Sequence, residues 1–227
     1  MNITSKELRQ RARGILGNKI FGRKWMMALL VYLVLSIIMS ASMSIFEKTY
    51  YIGEFFYYKF KLDLPLGSII LGGPVMFGMC KTFLWAARTN NEMNFALAFD
   101  GFKTFKKTFL LGLFEKLYIL LWTLLLIVPG IIKSYSYSMC YYIMEDHPEY
   151  TWSECLDESE RIMKGNRWRL FCLDLSFIGW FIVGLLCLGV GVLWVYPYHY
   201  TARAEFYNEL VGYVAPTEEE PIPDDYL

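Results

Sequence analysis

The chain has 227 residues, of which 56% are hydrophobic and 18% aromatic, and its mean hydropathy is +0.32. It carries 22 basic and 22 acidic residues, so the net charge predicts no binding to nucleic acid. The apolar residues occur in long runs rather than on one face of each element, which excludes an ordinary soluble domain and predicts an integral membrane protein.

Six apolar segments predict membrane-spanning helices, each of which needs about 20 residues to cross a bilayer. The Gly72-Gly73-Pro74 sequence predicts a break or kink in the second segment. Pro129-Gly130 predicts a turn between the third and fourth, and the glycines of 184–191 predict one between the fifth and sixth. We therefore expect an all-α bundle of about six spans. They lie near 25–46, 64–87, 109–128, 131–147, 170–188 and 190–210.

The rest of the chain predicts a domain order and an orientation. We expect an N-terminal amphipathic helix at the cytoplasmic face in residues 1–24 and the membrane domain in residues 25–210. We expect a disordered acidic tail in residues 211–227. Basic residues are concentrated before the first span and in the loops at 81–108 and 145–169. The positive-inside rule then predicts a multi-pass protein of the cell membrane with both termini in the cytoplasm.

Three segments between the spans predict amphipathic helices, over 4–16, 94–107 and 151–164. The first and third begin with a threonine followed three residues later by a glutamate, which predicts a capping box. We expect the first two in the cytoplasmic interface, and the alternative is packing on another cytoplasmic segment. The acidic outer face of the third favours that alternative. The basic residues expected to contact lipid headgroups are Arg9, Arg13, Lys103, Lys106 and Lys107.

The order of these segments predicts an internal repeat, because each amphipathic helix precedes a pair of spans. A glycine-asparagine-basic sequence closes the first helix at 17–19 and the third at 165–167. We therefore expect three units, each made of one amphipathic helix and one helical hairpin.

Several motifs between Trp122 and Arg203 resemble a known family. The 127–135 segment IVPGIIKSY, the 164–171 segment KGNRWRLF and the 201–207 segment TARAEFY occur in that order. Together they resemble the bacterial membrane family labelled domain of unknown function 975, and the segment from Leu8 to Asn18 is similar to that family's start. A looser similarity exists to the membrane domain attached to some glycerophosphodiester phosphodiesterases, but no catalytic domain accompanies it here. The resemblance implies a polytopic membrane fold and no established activity.

Ionisable residues inside spans are costly and are candidates for function. Lys133 also begins a polar face on the fourth span. For Asp174, three interpretations stay open: an ion pair with Lys116 or Arg169, snorkelling to the interface, and a site for a substrate or a proton. The candidate intramembrane polar cluster consists of Glu115, Lys116, Lys133, Tyr137, Tyr141 and Asp174.

No motif indicates a cofactor, a metal or an enzyme. His147 and His199 are isolated, and the five cysteines lack regular spacing. We expect a non-enzymatic membrane interaction or scaffold protein, whose partners are the lipid bilayer and either another protein or a second copy of the chain. The alternative is a small transporter, exporter or lipid-handling protein with a polar site around Asp174 and the fourth span.

Overall fold

The computed structural model describes residues 3–17, 21–39, 43–52, 56–64, 67–91, 93–186 and 189–213. Of the predicted acidic tail, 211–227, the residues from 214 onward lie outside the described part of the chain. A π-helical turn, Gly67–Leu71, leads into α3, and a 3₁₀ turn, Phe95–Phe99, leads into α4. The helices are α1 (Ser5–Leu16), α2 (Arg23–Met39), α3 (Gly72–Thr89), α4 (Asp100–Lys103), α5 (Phe105–Leu125), α6 (Ile127–Tyr137), α7 (Cys140–Asp146), α8 (Trp152–Met163), α9 (Arg167–Leu186) and α10 (Val192–Leu210), and the strands are β1 (Met43–Ile52) and β2 (Phe56–Leu64).

The predicted helical architecture is confirmed, with a β-hairpin added between α2 and α3. The first span was predicted to run to residue 46, but α2 ends at Met39 and the chain is extended from Met43. β1 pairs with β2 in antiparallel register, from Met43 opposite Leu64 to Ile52 opposite Phe56. The apolar run ends at Phe46, but the residues of the two strands are rich in aromatic and β-branched types, such as Thr49, Tyr50, Tyr51 and Ile52, which favour a strand.

Within the described residues, three helices are long and apolar enough to cross a membrane: the segment Ile69–Thr89, α5 and α9. This supports membrane association, and the count of six spans stays a prediction. Among the largest exposed apolar side chains are Leu124 on α5 and Leu186 on α9, with 82% and 78% of their surface accessible. Exposed leucines at the ends of two long helices favour contact with lipid over contact with water.

The turn predicted at Pro129-Gly130 lies three residues earlier. Leu126 is extended between α5 and α6, and both predicted turn residues lie in α6. Proline is tolerated in the first turn of a helix because the amide that it lacks would have no partner there. Gly130 instead allows close packing, since a Cβ there would lie 2.1 Å from Oγ1 of Thr123.

The fourth predicted span is interrupted, because α6 ends at Tyr137 and α7 begins at Cys140. Ser159 of α8 lies at this break. Its hydroxyl donates to the carbonyl of Ser136 at 2.7 Å and accepts from the amide of Met139 at 3.2 Å. A break in a buried helix requires partners for the freed backbone groups, and α8 supplies them.

At Gly72-Gly73-Pro74 the second predicted span changes from the π-helical turn to α3, and these residues form the first turn of α3. The glycines permit helices to approach closely. A Cβ at Gly73 would lie 2.0 Å from the carbonyl oxygen of Thr108, and one at Gly78 would lie 1.9 Å from that of Ala98. Backbone therefore packs directly on backbone where α3 meets α5 and the 3₁₀ turn.

Both predicted capping boxes are present, at Thr4 with Glu7 and at Thr151 with Glu154. The apolar faces of α1 and α8 are buried against protein: α1 packs on α10 and α9, and α8 on α5, α6 and α7. The helix predicted over 94–107 is divided into the 3₁₀ turn, α4 and the start of α5, with Asn94 accepting from the amide of Ala96.

Three helix-plus-hairpin units account for the packing of the described helices. They are α1 with α2–α3, the segment 95–103 with α5–α7, and α8 with α9–α10. The amphipathic segment of each unit packs on the hairpin of another: α1 on α9–α10, 95–103 on α3, and α8 on α5–α7. The last helices of the three units, α3, α7 and α10, meet one another at the centre. This arrangement links the three units in a closed ring.

Replacing Gly78 by alanine should destabilise the fold by roughly 1–3 kcal/mol or more, because backbone and not a flexible side chain occupies the Cβ position. Gly179→Ala is the matched control, since that helical site has nothing within 4 Å and alanine favours a helix by about 0.5–1 kcal/mol. Thermal unfolding of the purified variants in detergent measures both. Equal melting temperatures would contradict the contact.

Candidate functional site

A partly open cavity of about 250 Å³, with mixed polar and apolar walls, lies between α3, α5, α6, α7 and α10. Two charged side chains line it, Glu115 from α5 and Arg203 from α10. An interior lined by charges is unusual in a bundle with lipid-facing surfaces and marks a functional candidate. Its uncharged polar lining consists of Ser134, Tyr135, Ser138, Tyr141, Tyr142 and Tyr200.

Glu115 forms the acidic part of the lining. The Tyr141 hydroxyl donates to its Oε2 at 2.8 Å. Within the described part of the chain, this is the one hydrogen bond that Glu115 accepts. Gly112, one turn earlier on α5, admits both neighbours, since a Cβ there would lie 2.7 Å from Cα of Gly73 and 3.1 Å from the Tyr141 hydroxyl. The close contact of α5 with α3 therefore positions the carboxylate.

Arg203 forms the basic part of the lining and is held by Asp174 of α9. Its Nη2 donates to Oδ2 at 2.6 Å, its Nε lies 3.3 Å from Oδ1, and Nε2 of His199 lies 2.7 Å from the same Oδ1. His199 and Arg203 are four residues apart, so both face α9 from one side of α10. Asp174 therefore forms an ion pair, which was one of the three interpretations of this residue. Its partner is Arg203 and not Lys116 or Arg169, which were the predicted partners.

Arg169 pairs instead with Glu209 at 2.6 Å, which joins the start of α9 to the end of α10. Sequence spacing alone could not choose between the arginines, because the choice depends on the register of α9 against α10. α9 and α10 pack antiparallel, so residues late in α10 lie beside residues early in α9.

Tyr142 presents a buried polar group to the cavity. Its side chain is only 2% exposed, and its hydroxyl has no nitrogen or oxygen partner among the described residues, with the Cys80 thiol as its neighbour. The ring stacks on Tyr207 at a centroid distance of 5.2 Å, so packing and not hydrogen bonding holds it there. A buried hydroxyl without a strong hydrogen bond costs up to about 1–3 kcal/mol.

The structure brings together only part of the predicted polar cluster. Glu115 and Tyr141 line the cavity, and Asp174 reaches it through Arg203. Lys133 instead donates to both carboxylate oxygens of Glu160 on α8, at 2.7 Å.

The other two members also lie apart from the cavity. The Lys133 ammonium sits 5.5 Å from the ring centre of Tyr137, which therefore belongs to the contact with α8. Lys116 lies beside Gly72, where a Cβ would come 2.5 Å from its Nζ.

Of the basic residues predicted to contact lipid headgroups, three contact other parts of the protein and two are exposed. Arg9 donates to the carbonyl of Ser176 at 3.4 Å, Lys103 pairs with Asp100 at 2.7 Å, and Lys107 donates to the carbonyl of Pro148. Lys106 is exposed. Arg13 is exposed beside an apolar groove between α1 and the last hairpin.

One cluster at the end of the bundle was not predicted. Arg88, 5% exposed, donates to both carboxylate oxygens of Asp146 at 2.6 and 2.7 Å and to the amide oxygen of Asn208 at 3.0 Å. The hydroxyl of Tyr207 also donates to Asp146, at 2.8 Å. These contacts tie the ends of α3, α7 and α10 together.

A second ion-pair network lies next to this cluster. Lys81 of α3 bridges Asp100 at 3.1 Å and Glu145 at 2.9 Å. Burial raises the pKa of Asp100, but hydrogen bonds from Lys103 and Lys81 outweigh it and hold that pKa below its usual value. The carboxylate is therefore charged at neutral pH. Both networks border a cleft of about 790 Å³ at this end of the bundle.

Arg203 is the most important residue that the sequence reasoning missed. The signal was available, because an ionisable residue inside a predicted span was the criterion used, and Lys81 and Arg203 both satisfy it. Tyr135, Tyr142 and Tyr200 gave no such signal, since a tyrosine within a span is equally typical of packing.

The chain matches one family model, over residues 1–134 and 123–213. It belongs to the family described as protein of unknown function (DUF975). The resemblance to domain of unknown function 975 is thereby confirmed. No curated protein and no solved structure matches the chain. Among the described residues of this DUF975 protein, no group of three or more His, Cys, Asp or Glu side chains is arranged to hold a metal.

Asp174→Asn should lower stability by about 2–3 kcal/mol, because it leaves the Arg203 guanidinium without its counter-ion. The full cost of a buried pair is not expected, since the two side chains keep 19% and 26% of their exposure. Thermal unfolding of the purified protein measures the loss.

Two further variants test the coupling of this pair. Adding Arg203→Gln to Asp174→Asn should recover part of the loss, as a double-mutant cycle shows for interacting residues. Asp157→Asn, which changes an exposed acid on α8, should leave the melting temperature unchanged. Strictly additive effects of Asp174→Asn and Arg203→Gln would contradict the pairing.

Proposed function

We propose that this DUF975 protein binds a small zwitterionic solute in the interior cavity, as the recognition step of a non-enzymatic membrane transporter. The single observation that carries the proposal is the cavity itself, where a carboxylate, a guanidinium and four tyrosine side chains line one space. A site that held only structural ion pairs would have no use for the empty volume.

The charges of the lining support a zwitterion over a solute of one sign. Glu115 accepts one hydrogen bond among the described residues, which leaves acceptor capacity for an ammonium group. Arg203 uses its Nε and one Nη on Asp174, so the guanidinium keeps further N–H donors for an acidic group. Electrostatic interactions are strong away from water. A solute with an ammonium group near Glu115 and an acidic group near Arg203 would therefore be stabilised by both charges.

The size and the aromatic lining restrict the solute further. Ligand pockets for drug-sized molecules enclose about 300–1,000 Å³, and this cavity is smaller, at about 250 Å³. Tyrosine faces also attract ammonium groups through the ring quadrupole. The proposal therefore names a solute of amino-acid size, with an ammonium near Glu115 and an acidic group near Arg203 and Tyr142.

The topology proposed for this function has six spans with both termini in the cytoplasm. The supporting observations are the three helices that are long and apolar enough to cross, and the hairpin pairing of the others beside them. The β-hairpin between α2 and α3 carries charged residues, among them Glu47, Lys48 and Lys59, which favours its placement in water, and the alternation of the spans from a cytoplasmic N-terminus puts it on the outer side.

A cysteine placed at Tyr57 should react with a membrane-impermeant maleimide in intact cells, whereas one placed at Lys164 should react only after permeabilisation. The background carries Cys172→Ala and Cys187→Ala, and Cys80, Cys140 and Cys155 are buried. Labelling of the Tyr57 site only after permeabilisation would overturn the six-span topology.

The scaffold hypothesis has less support than the solute site. Its main sequence feature, the acidic tail, lies outside the described residues, and several of the predicted headgroup-binding lysines are engaged within the protein. Association with a protein partner or a second copy stays a prediction. Deletion of residues 215–227 tests it, since loss of a co-purifying protein would support a scaffold role.

Tyr142→Phe should separate binding from folding. Without solute, the variant should be as stable as the wild type or slightly more so, because a buried hydroxyl without a strong hydrogen bond is removed. Stabilisation by a bound amino acid should fall by about 1 kcal/mol or more, since one hydrogen bond to the solute is lost. The measurement is the rise in melting temperature of the purified protein with a panel of free amino acids.

Each amino acid is tested beside its N-acetyl form, which lacks the ammonium, and its amide, which lacks the acidic group. Glu115→Gln should abolish the discrimination against the N-acetyl form. Tyr118→Phe is the matched control, because Tyr118 is 36% exposed and does not line the cavity. If no zwitterion raises the melting temperature of the wild type, the proposal is wrong.

A further inference from the structure

A second cavity lies on the opposite side of α10, in a groove between α1, α2 and the α9–α10 hairpin. Its volume is about 220 Å³ and its walls are apolar. The aromatic side chains Trp25, Trp180, Trp194 and Tyr198 make most of the wall, and Val183 and Val195 complete it. Tryptophan and tyrosine are typical of the boundary between lipid and water.

Arg13 is the one charged residue in the lining of this groove. It lies in the last turn of α1, is exposed, and has no hydrogen bond or ion pair within the described part of the chain. Arg9, one turn earlier, differs in donating to the carbonyl of Ser176. The groove therefore combines an apolar wall with an available guanidinium and no acidic side chain.

The groove continues towards the lipid-facing end of the last hairpin. Gly184 and Gly191 close it by direct backbone contact, since a Cβ at Gly191 would lie 2.8 Å from Cα of Gly184. Beyond this point Leu185 and Leu186 are 69% and 78% exposed. The apolar groove therefore lies next to exposed apolar side chains at the end of the hairpin.

We propose that this groove binds one anionic phospholipid, with an acyl chain along Trp180, Val183 and Trp194 and the phosphate paired with Arg13. Charge complementarity selects the occupant, because a guanidinium without a counter-ion favours a lipid of net negative charge over a zwitterionic one. This site is separate from the Glu115 cavity, so its test does not depend on the proposed solute binding.

The experiment is native mass spectrometry of the full-length protein released from nanodiscs containing equal amounts of phosphatidylglycerol and phosphatidylcholine. The wild type should retain one phosphatidylglycerol per chain. Arg13→Gln should lower that occupancy about fivefold, the equivalent of about 1 kcal/mol for one basic residue at a membrane surface. Lys6→Gln, the same loss of charge at an exposed site of α1 outside the groove, should leave it unchanged.

A second pair of variants tests the acyl-chain part without changing charge. Val183→Phe should fill the groove and lower phosphatidylglycerol occupancy to a similar extent. Val190→Phe is the control, because Val190 has nearly the same exposure, 56% against 54%, and does not line the groove. Each variant is first shown to melt at the wild-type temperature, so that a loss of lipid is not a loss of fold.

Equal retention of the two lipids by the wild type, or unchanged occupancy in both Arg13→Gln and Val183→Phe, would overturn the proposal. Retention of a second protein chain in place of lipid would overturn it as well, since the groove would then be an interface between copies. Loss of lipid in the two groove variants and in neither control is the supporting result.

Discussion

The packing of the bundle depends on the buried guanidinium of Arg88. It extends from α3 to the carboxylate of Asp146 on α7 and the amide of Asn208 on α10, and so joins the last helix of each unit. An uncompensated charge at 5% exposure would cost several kcal/mol, and the bidentate pair with additional hydrogen bonds removes that cost. The three helices can meet at this end of the bundle only if all three partners are in place.

The interior cavity follows from that constraint. The same three helices line the cavity together with α5 and α6, and Glu115 and Arg203 stand on its wall. Glycines decide how closely the outer helices approach, since Gly73 and Gly112 bring α5 onto α3 at backbone distance. The cavity is thus bounded by close glycine contacts on one side and by the Asp174–Arg203 pair on the other.

The amphipathic segments have a structural role in this arrangement. Each covers the hairpin of another unit, and Ser159 of α8 satisfies backbone groups at the break between α6 and α7. Their polar faces stay outward, with Asp157 of α8 and Arg13 of α1 exposed. Because α1 closes the ring against α9 and α10, it also forms one wall of the apolar groove, which joins the proposed lipid site to the packing of the units.

The sequence by itself determined the helical class, the capped starts of α1 and α8, their buried faces and the family. These features depend on local patterns: a threonine with a glutamate three residues later, apolar residues at helical spacing, and long apolar runs. It also identified Glu115, Tyr141 and Asp174 as candidates, because a charge or a polar stripe inside an apolar run is visible without knowledge of its neighbours.

Only the tertiary structure decided which of these residues meet. Asp174 pairs with Arg203, 29 residues away, and Lys133 turns to α8, because the register between helices and not the spacing along the chain selects partners. The β-hairpin was missed for a related reason: its first four residues end the first predicted span, the rest falls in the charged segment that follows it, and strand pairing depends on a partner segment. The cavity and the groove are spaces between elements, so no single segment of the sequence specifies them.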